Sequence, residues 1–66
     1  MDREKVAERL RKLREERHWT KKYVSRMLGC GYSTVCSWEY GDKVPNDEMK
    51  VQISELYGVP VTIFFD

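Results

Sequence analysis

Residues 19–41 read WTKKYVSRMLGCGYSTVCSWEYG, and this stretch decides the fold. Thr20 offers a hydroxyl that caps the start of a helix, and Gly29 can adopt the left-handed conformation that commonly ends one. The apolar spacing predicts one helix over residues 20–28 and a second over residues 31–40, with a turn of only three residues between them. Two short helices joined by a tight turn that contains glycine are the helix-turn-helix signature.

Three further helical segments are predicted outside this stretch. Apolar residues recur at helical spacing over residues 2–17 and again over residues 46–57, where an asparagine stands at the expected cap. A last apolar run over residues 61–65 follows a proline and predicts a short fifth helix. We therefore expect residues 1–66 to form a single all-α domain of five helices. The predicted core residues of the outer helices are Val6, Leu10, Leu13, Met49, Ile53, Leu56 and Tyr57.

Length and composition favour a small folded module. A chain of 66 residues buries only about 60% of its unfolded surface, yet a hydrophobic fraction of 41% is enough for one core. No stretch approaches the roughly 20 apolar residues that cross a bilayer, so a cytoplasmic location without membrane contact is expected. Cys30 and Cys36 match no zinc or disulfide pattern, and we interpret both as free thiols.

The charge is distributed unevenly along the chain, although the net charge is only +1. Residues 1–26 hold ten basic groups against five acids, a net of +5, while residues 27–66 hold two against six, a net of −4. One end of the domain is therefore suited to face phosphate. The alternative is that the basic residues before Arg14 are only the solvated face of the first helix.

Several short motifs occur together at characteristic separations. The segments 10–17, 28–29, 33–41 and 56–59 read LRKLREER, LG, STVCSWEYG and LYGV. In this register the chain resembles the Cro/cI (Xre-type) repressor family over about residues 6–65. The resemblance implies a lambda-repressor-like fold of five helices. It also implies a transcriptional repressor that binds double-stranded DNA as a homodimer and inserts the helix over residues 31–40 into the major groove.

The resemblance assigns roles by position. Lys21 stands where the family usually has glutamine, so a direct charge on phosphate is expected there. Ser25 stands in place of a small alanine, and its hydroxyl should bond back to a carbonyl of its own helix. Tyr32 either meets a thymine methyl or a phosphate, or packs over the turn. The implied base contacts are Tyr32, Ser33 and Ser37, and the implied phosphate contacts are Thr20, Lys21, Lys22, Thr34 and Lys43.

Two further features follow from the same resemblance. Arg14 and Glu39 are implied to form a partly buried ion pair that fixes the reading helix, the alternative being two solvated side chains. Ile63 and Phe65 are expected to form the dimer interface, unless both simply complete the core.

Other functions fit the sequence less well. The single histidine and the absence of a defensible catalytic constellation argue against an enzyme, and no metal, cofactor or small-molecule ligand is expected. The main alternative is a helix-turn-helix module for protein contact with weak intrinsic DNA affinity, which the low net charge and the plain reading helix favour.

Overall fold

The computed structural model describes residues 2–65, and within them it contains four α-helices, one 3₁₀ turn and no strand. The elements are α1 (Arg3–Glu16), α2 (Lys21–Leu28), α3 (Tyr32–Tyr40), α4 (Asp47–Tyr57) and the 3₁₀ turn Val61–Phe64. The all-α class and the positions of the first four helices are confirmed.

The expectation of a fifth α-helix is wrong. Residues 61–64 form a single 3₁₀ turn, in which the Ile63 N–H donates to the Pro60 carbonyl three residues back at 3.1 Å. Pro60 itself is extended, no side chain caps the turn, and three consecutive β-branched residues precede Phe64. Such residues lose side-chain freedom in a helix, and four residues offer too few bonds to offset that cost.

Side-chain caps fix where the helices begin. Thr20 Oγ1 accepts a hydrogen bond from the Tyr23 N–H at 3.0 Å, and Asn46 Oδ1 accepts one from the Met49 N–H at 2.9 Å. Gly29 ends α2 with a φ of 68°, a left-handed conformation that a side chain would disfavour. These local signals mark where α2 and α4 begin and where α2 ends.

The core lies where the four helices and the 3₁₀ turn meet. α3 packs against both α1 and α2, so only one of its sides remains open to solvent. Each element contributes apolar side chains in the predicted helical spacing. The buried apolar cluster consists of Val6, Leu10, Val24, Leu28, Val35, Trp38, Ile53, Tyr57 and Phe64.

Arginines of α1 and of its C-cap bind carbonyl oxygens at the ends of other elements. Arg11 donates to the Glu39 carbonyl near the end of α3 at 3.2 Å, and Arg17 donates to the Tyr57 carbonyl at the end of α4 at 2.6 Å. Cations in these places satisfy open carbonyls and complement the helix dipole. Part of the positive charge of the first helix is therefore used within the fold rather than on a merely solvated face.

Candidate nucleic-acid interface

An ion pair fixes the orientation of α3. Arg14 donates from Nε to Glu39 Oε2 at 2.8 Å and from Nη2 to Oε1 at 3.0 Å, and a third bond runs from Nη1 to the Trp19 carbonyl at 2.8 Å. The Arg14 and Glu39 side chains are only 12% and 3% exposed. The hydrogen bond to Glu39 raises the pKa of Arg14, so the guanidinium stays charged. The pair named from the resemblance is thus in contact and buried, and it ties α1 to both ends of the helix-turn-helix.

The open side of α3 carries the short polar side chains of two serines and, beside them, a stripe of two tyrosines and a cysteine. Ser33 is exposed and Ser37 is half-buried. Ser37 Oγ donates to the Ser33 carbonyl at 3.0 Å, so its hydroxyl hydrogen is occupied and the oxygen is left only to accept. Tyr32, Cys36 and Tyr40 follow one another at intervals of four residues, which places them on one face.

Tyr32 lies beside Cys36 on its own helix. A side-chain hydrogen bond with Cys36 is the main cause of the raised pKa of Tyr32. The ring also borders a surface groove between the starts of α2 and α3, so it does not pack away from solvent. The residues lining this groove are Arg14, Trp19, Thr20, Lys21, Lys22 and Tyr32.

The start of α2 gathers donors at one edge of this groove. Thr20 accepts the Tyr23 N–H and keeps its own hydroxyl hydrogen for an outside acceptor. The N–H groups of Lys21 and Lys22 belong to the first turn, where no helical carbonyl precedes them. Lysine charges and open N–H groups at a helix start together favour an anion such as phosphate.

The remaining phosphate candidates lie beside α3. Thr34 is half-buried in its first turn, and its N–H donates to the Gly31 carbonyl at 3.1 Å. Lys43 is exposed in the loop after α3, and its N–H lies 3.4 Å from the Ser37 carbonyl. The structure thus brings Thr20, Lys21, Lys22 and Tyr32 to one groove and places Thr34 and Lys43 at the two ends of α3.

Sequence reasoning missed Tyr40. The Lys21 Nζ lies 5.0 Å from the centroid of the Tyr40 ring, which joins the first residue of α2 to the last residue of α3. Tyr40 is 71% exposed, more than any other large apolar side chain within residues 2–65. Its spacing of eight residues from Tyr32 was the available signal, but that spacing does not show which side chain approaches the ring.

Ser25 behaves as predicted. Its Oγ donates to the Lys22 carbonyl at 2.7 Å, which satisfies the buried hydroxyl within its own helix. A serine therefore fits where a smaller side chain is usual.

The two residues predicted for a dimer interface differ in exposure. Ile63 is half-buried and borders a shallow groove against α1, and its carbonyl accepts a hydrogen bond from Arg9 at 2.6 Å. Phe65 is 54% exposed, with the Lys50 Nζ 5.0 Å from its ring centroid. Of these two residues, only Phe65 presents a largely exposed apolar side chain.

Two other findings concern the described residues as a whole. No helix within residues 2–65 is long and apolar enough to cross a membrane. Across the same residues, no group of three or more His, Cys, Asp or Glu side chains is arranged to hold a metal ion.

The tight turn between α2 and α3, the buried pair behind them and the open side of α3 define a helix-turn-helix domain. The helix-turn-helix family model matches residues 10–64, and the chain belongs to this family, of the Cro/cI (Xre) type, whose members are DNA-binding transcription regulators. Neither the curated proteins nor the solved structures include a significant match to the chain.

Proposed function

We propose that this domain is a sequence-specific repressor that binds double-stranded DNA with α3 in the major groove. One observation carries the proposal: the open side of α3 lies beside the donor-rich start of α2. A major groove about 12 Å wide admits one helix, and the helix before it then meets the phosphate backbone.

Affinity in this proposal comes mainly from phosphate contacts. Lys21 and Lys22 with their N–H groups supply them at one end, Lys43 supplies a charge after α3, and Thr20 and Thr34 add hydroxyls. The buried pair of Arg14 and Glu39 makes no DNA contact; it keeps α3 at a fixed angle to α2.

Base readout is expected to be modest. Ser33 can donate or accept, whereas Ser37 can only accept, for example from the amino group of adenine or cytosine. The Tyr32 ring is suited to contact a thymine methyl. None of these side chains makes the two-bond contacts of Arg, Asn or Gln, so DNA shape has to supply part of the discrimination.

The repressor acts as a homodimer in this proposal. Phe65 offers exposed apolar surface after the 3₁₀ turn, and the half-buried Ile63 lies two residues before it. A two-fold dimer would place its two α3 helices about 34 Å apart and select a nearly palindromic site.

A salt-series titration tests the proposal. Wild-type protein is titrated onto a duplex selected from a random pool and onto a random duplex, each at several salt concentrations. If a dimer neutralises six phosphates, log K against log salt should have a slope of about −5. Tight binding that is independent of salt, or no binding to any duplex at low salt, contradicts the proposal.

A module for protein contact is the second candidate. Met27 on α2 is exposed and forms a shallow groove with Leu56 of α4 and its neighbours, on surface that the DNA proposal does not use. This candidate would be favoured if the wild type binds no DNA and if Met27→Asp abolishes binding to a partner protein.

A further inference from the structure

We propose that Tyr40 is a positioning residue that holds the Lys21 ammonium in place for a DNA phosphate. The inference rests on the proposed function, since it concerns how the same surface meets DNA. It assigns a role to the most exposed aromatic side chain of α3, which would otherwise have none.

The geometry links two helix ends through these two side chains. Lys21 is the first residue of α2 and Tyr40 the last of α3, and the ammonium lies 5.0 Å from the ring centroid. This is within the range of a cation–π contact. Lys21 is half-buried, whereas its neighbour Lys22 is exposed. The side chain of Lys21 therefore has less conformational freedom than that of Lys22.

A second observation brings the Lys21 charge near Tyr32, because both residues line the same groove. The pKa of Tyr32 is raised chiefly by its hydrogen bond with Cys36, and the charge of Lys21 opposes that rise. The Lys21 charge therefore acts on Tyr32 as well as on Tyr40. Both rings belong to the stripe on the open side of α3, which puts the charge where the DNA backbone would pass.

The contact orders the lysine without neutralising it. An ammonium has three donors, and a ring face attracts the charge without accepting the proton or cancelling the charge. A free lysine loses much side-chain freedom when it binds phosphate, and a lysine already held over a ring loses less. The ring should therefore strengthen phosphate binding by Lys21 and leave Lys22 unaffected.

A double-mutant cycle with a matched control tests this. Tyr40→Leu is combined with Lys21→Ala and, separately, with the control Lys22→Ala, and each protein is titrated onto the selected and the random duplex. Tyr40→Leu should weaken binding to both duplexes alike, by about two- to fivefold per site. The loss should vanish in the Lys21→Ala background and persist in the Lys22→Ala background. Tyr40→Phe, which keeps the ring, should bind as the wild type does.

A measurement without DNA checks the contact itself. Protons of the Lys21 side chain should show an upfield ring-current shift in the NMR spectra of the wild type and Tyr40→Phe, and lose it in Tyr40→Leu. Circular dichroism of the three proteins verifies that each remains folded, which the exposure of Tyr40 leads us to expect.

Three results would overturn the inference. An equal loss in Tyr40→Phe and Tyr40→Leu would mean that the hydroxyl touches DNA directly. A loss that persists in the Lys21→Ala background would mean that Tyr40 acts without Lys21, and a gain of affinity in Tyr40→Leu would mean that the ring withholds the lysine. If wild-type protein binds no duplex, the proposed function fails and the inference with it; that failure is recognised from the wild-type titration alone.

Discussion

Removing one partner of the Arg14–Glu39 pair should destabilise the domain strongly. In Arg14→Ala, the Glu39 carboxylate at 3% exposure loses both of its guanidinium bonds. A buried charge left without its partner costs about 3 to 5 kcal/mol. A domain of this size has a free energy of unfolding of roughly 3 to 10 kcal/mol in total. Arg14→Ala should therefore lie close to the limit of folding.

Glu39→Ala should cost less, because the remaining guanidinium keeps its bond to the Trp19 carbonyl and lies 4.0 Å from Glu15. We expect a loss of roughly 2 to 3 kcal/mol, typical of a hydrogen bond to a charged group. The double variant should be more stable than the sum of the single losses predicts, by about 2 kcal/mol, since it leaves no charge unpaired.

Urea unfolding monitored by the fluorescence of Trp19 and the buried Trp38 measures all four corners of this cycle. The pair Lys50–Asp47, separated by 3.7 Å and with the Asp47 carboxylate fully exposed, provides the control cycle and should show a coupling below about 1 kcal/mol. If Arg14→Ala costs less than about 1 kcal/mol and its coupling with Glu39→Ala equals that of the control, the pair does not hold α3 in place, because removing one partner of a buried pair costs more than that.

Three further predictions follow from the same structure. Burial raises the pKa of Tyr57 to about 12 from the model-peptide value of 10.0, with the Glu39 charge as a second cause. The folded state therefore keeps a proton that the unfolded state releases, and stability should fall by roughly 2 kcal/mol between pH 10 and pH 12. The free energy of unfolding of Tyr57→Phe should lack this part of the pH dependence. If the free energy of unfolding falls with pH equally steeply in both proteins, the prediction is wrong. In sedimentation at micromolar concentration, the wild type should be a dimer and Phe65→Asp a monomer. A wild type that is monomeric both free and on DNA rules out the proposed dimer interface. Ser33→Ala should change the preferred bases in a selection from random duplexes, while Lys43→Ala should weaken all sequences alike; the reverse pattern contradicts their assigned roles.

Local signals in the sequence predicted most of the fold. Thr20, Gly29 and Asn46 mark helix ends through their own backbone bonds, so their effect does not depend on the rest of the chain. The fifth helix was predicted wrongly because the apolar run after Pro60 satisfies a hydrophobic pattern and says little about hydrogen bonding. A 3₁₀ turn and a short α-helix bury nearly the same side chains.

The candidate interface was predictable only in part. The family resemblance indicated Lys21, Lys22, Ser33 and Ser37 through their positions along α2 and α3. The contact between Lys21 and Tyr40 depends on the angle between the two helices, which no local pattern contains. The hydrogen bonds from Arg11 and Arg17 to carbonyl oxygens of other helices could not be predicted from the sequence for the same reason.

In the proposed complex, DNA is bound by the open side of α3 together with the start of α2. Amide NMR spectra of labelled protein titrated with the selected duplex test it most directly. The largest shift changes should fall on residues 20–22, 32–37 and 43, with little change along the exposed side of α4 around Val51. Changes concentrated on α4 or the 3₁₀ turn, with residues 32–37 unmoved, would contradict the account.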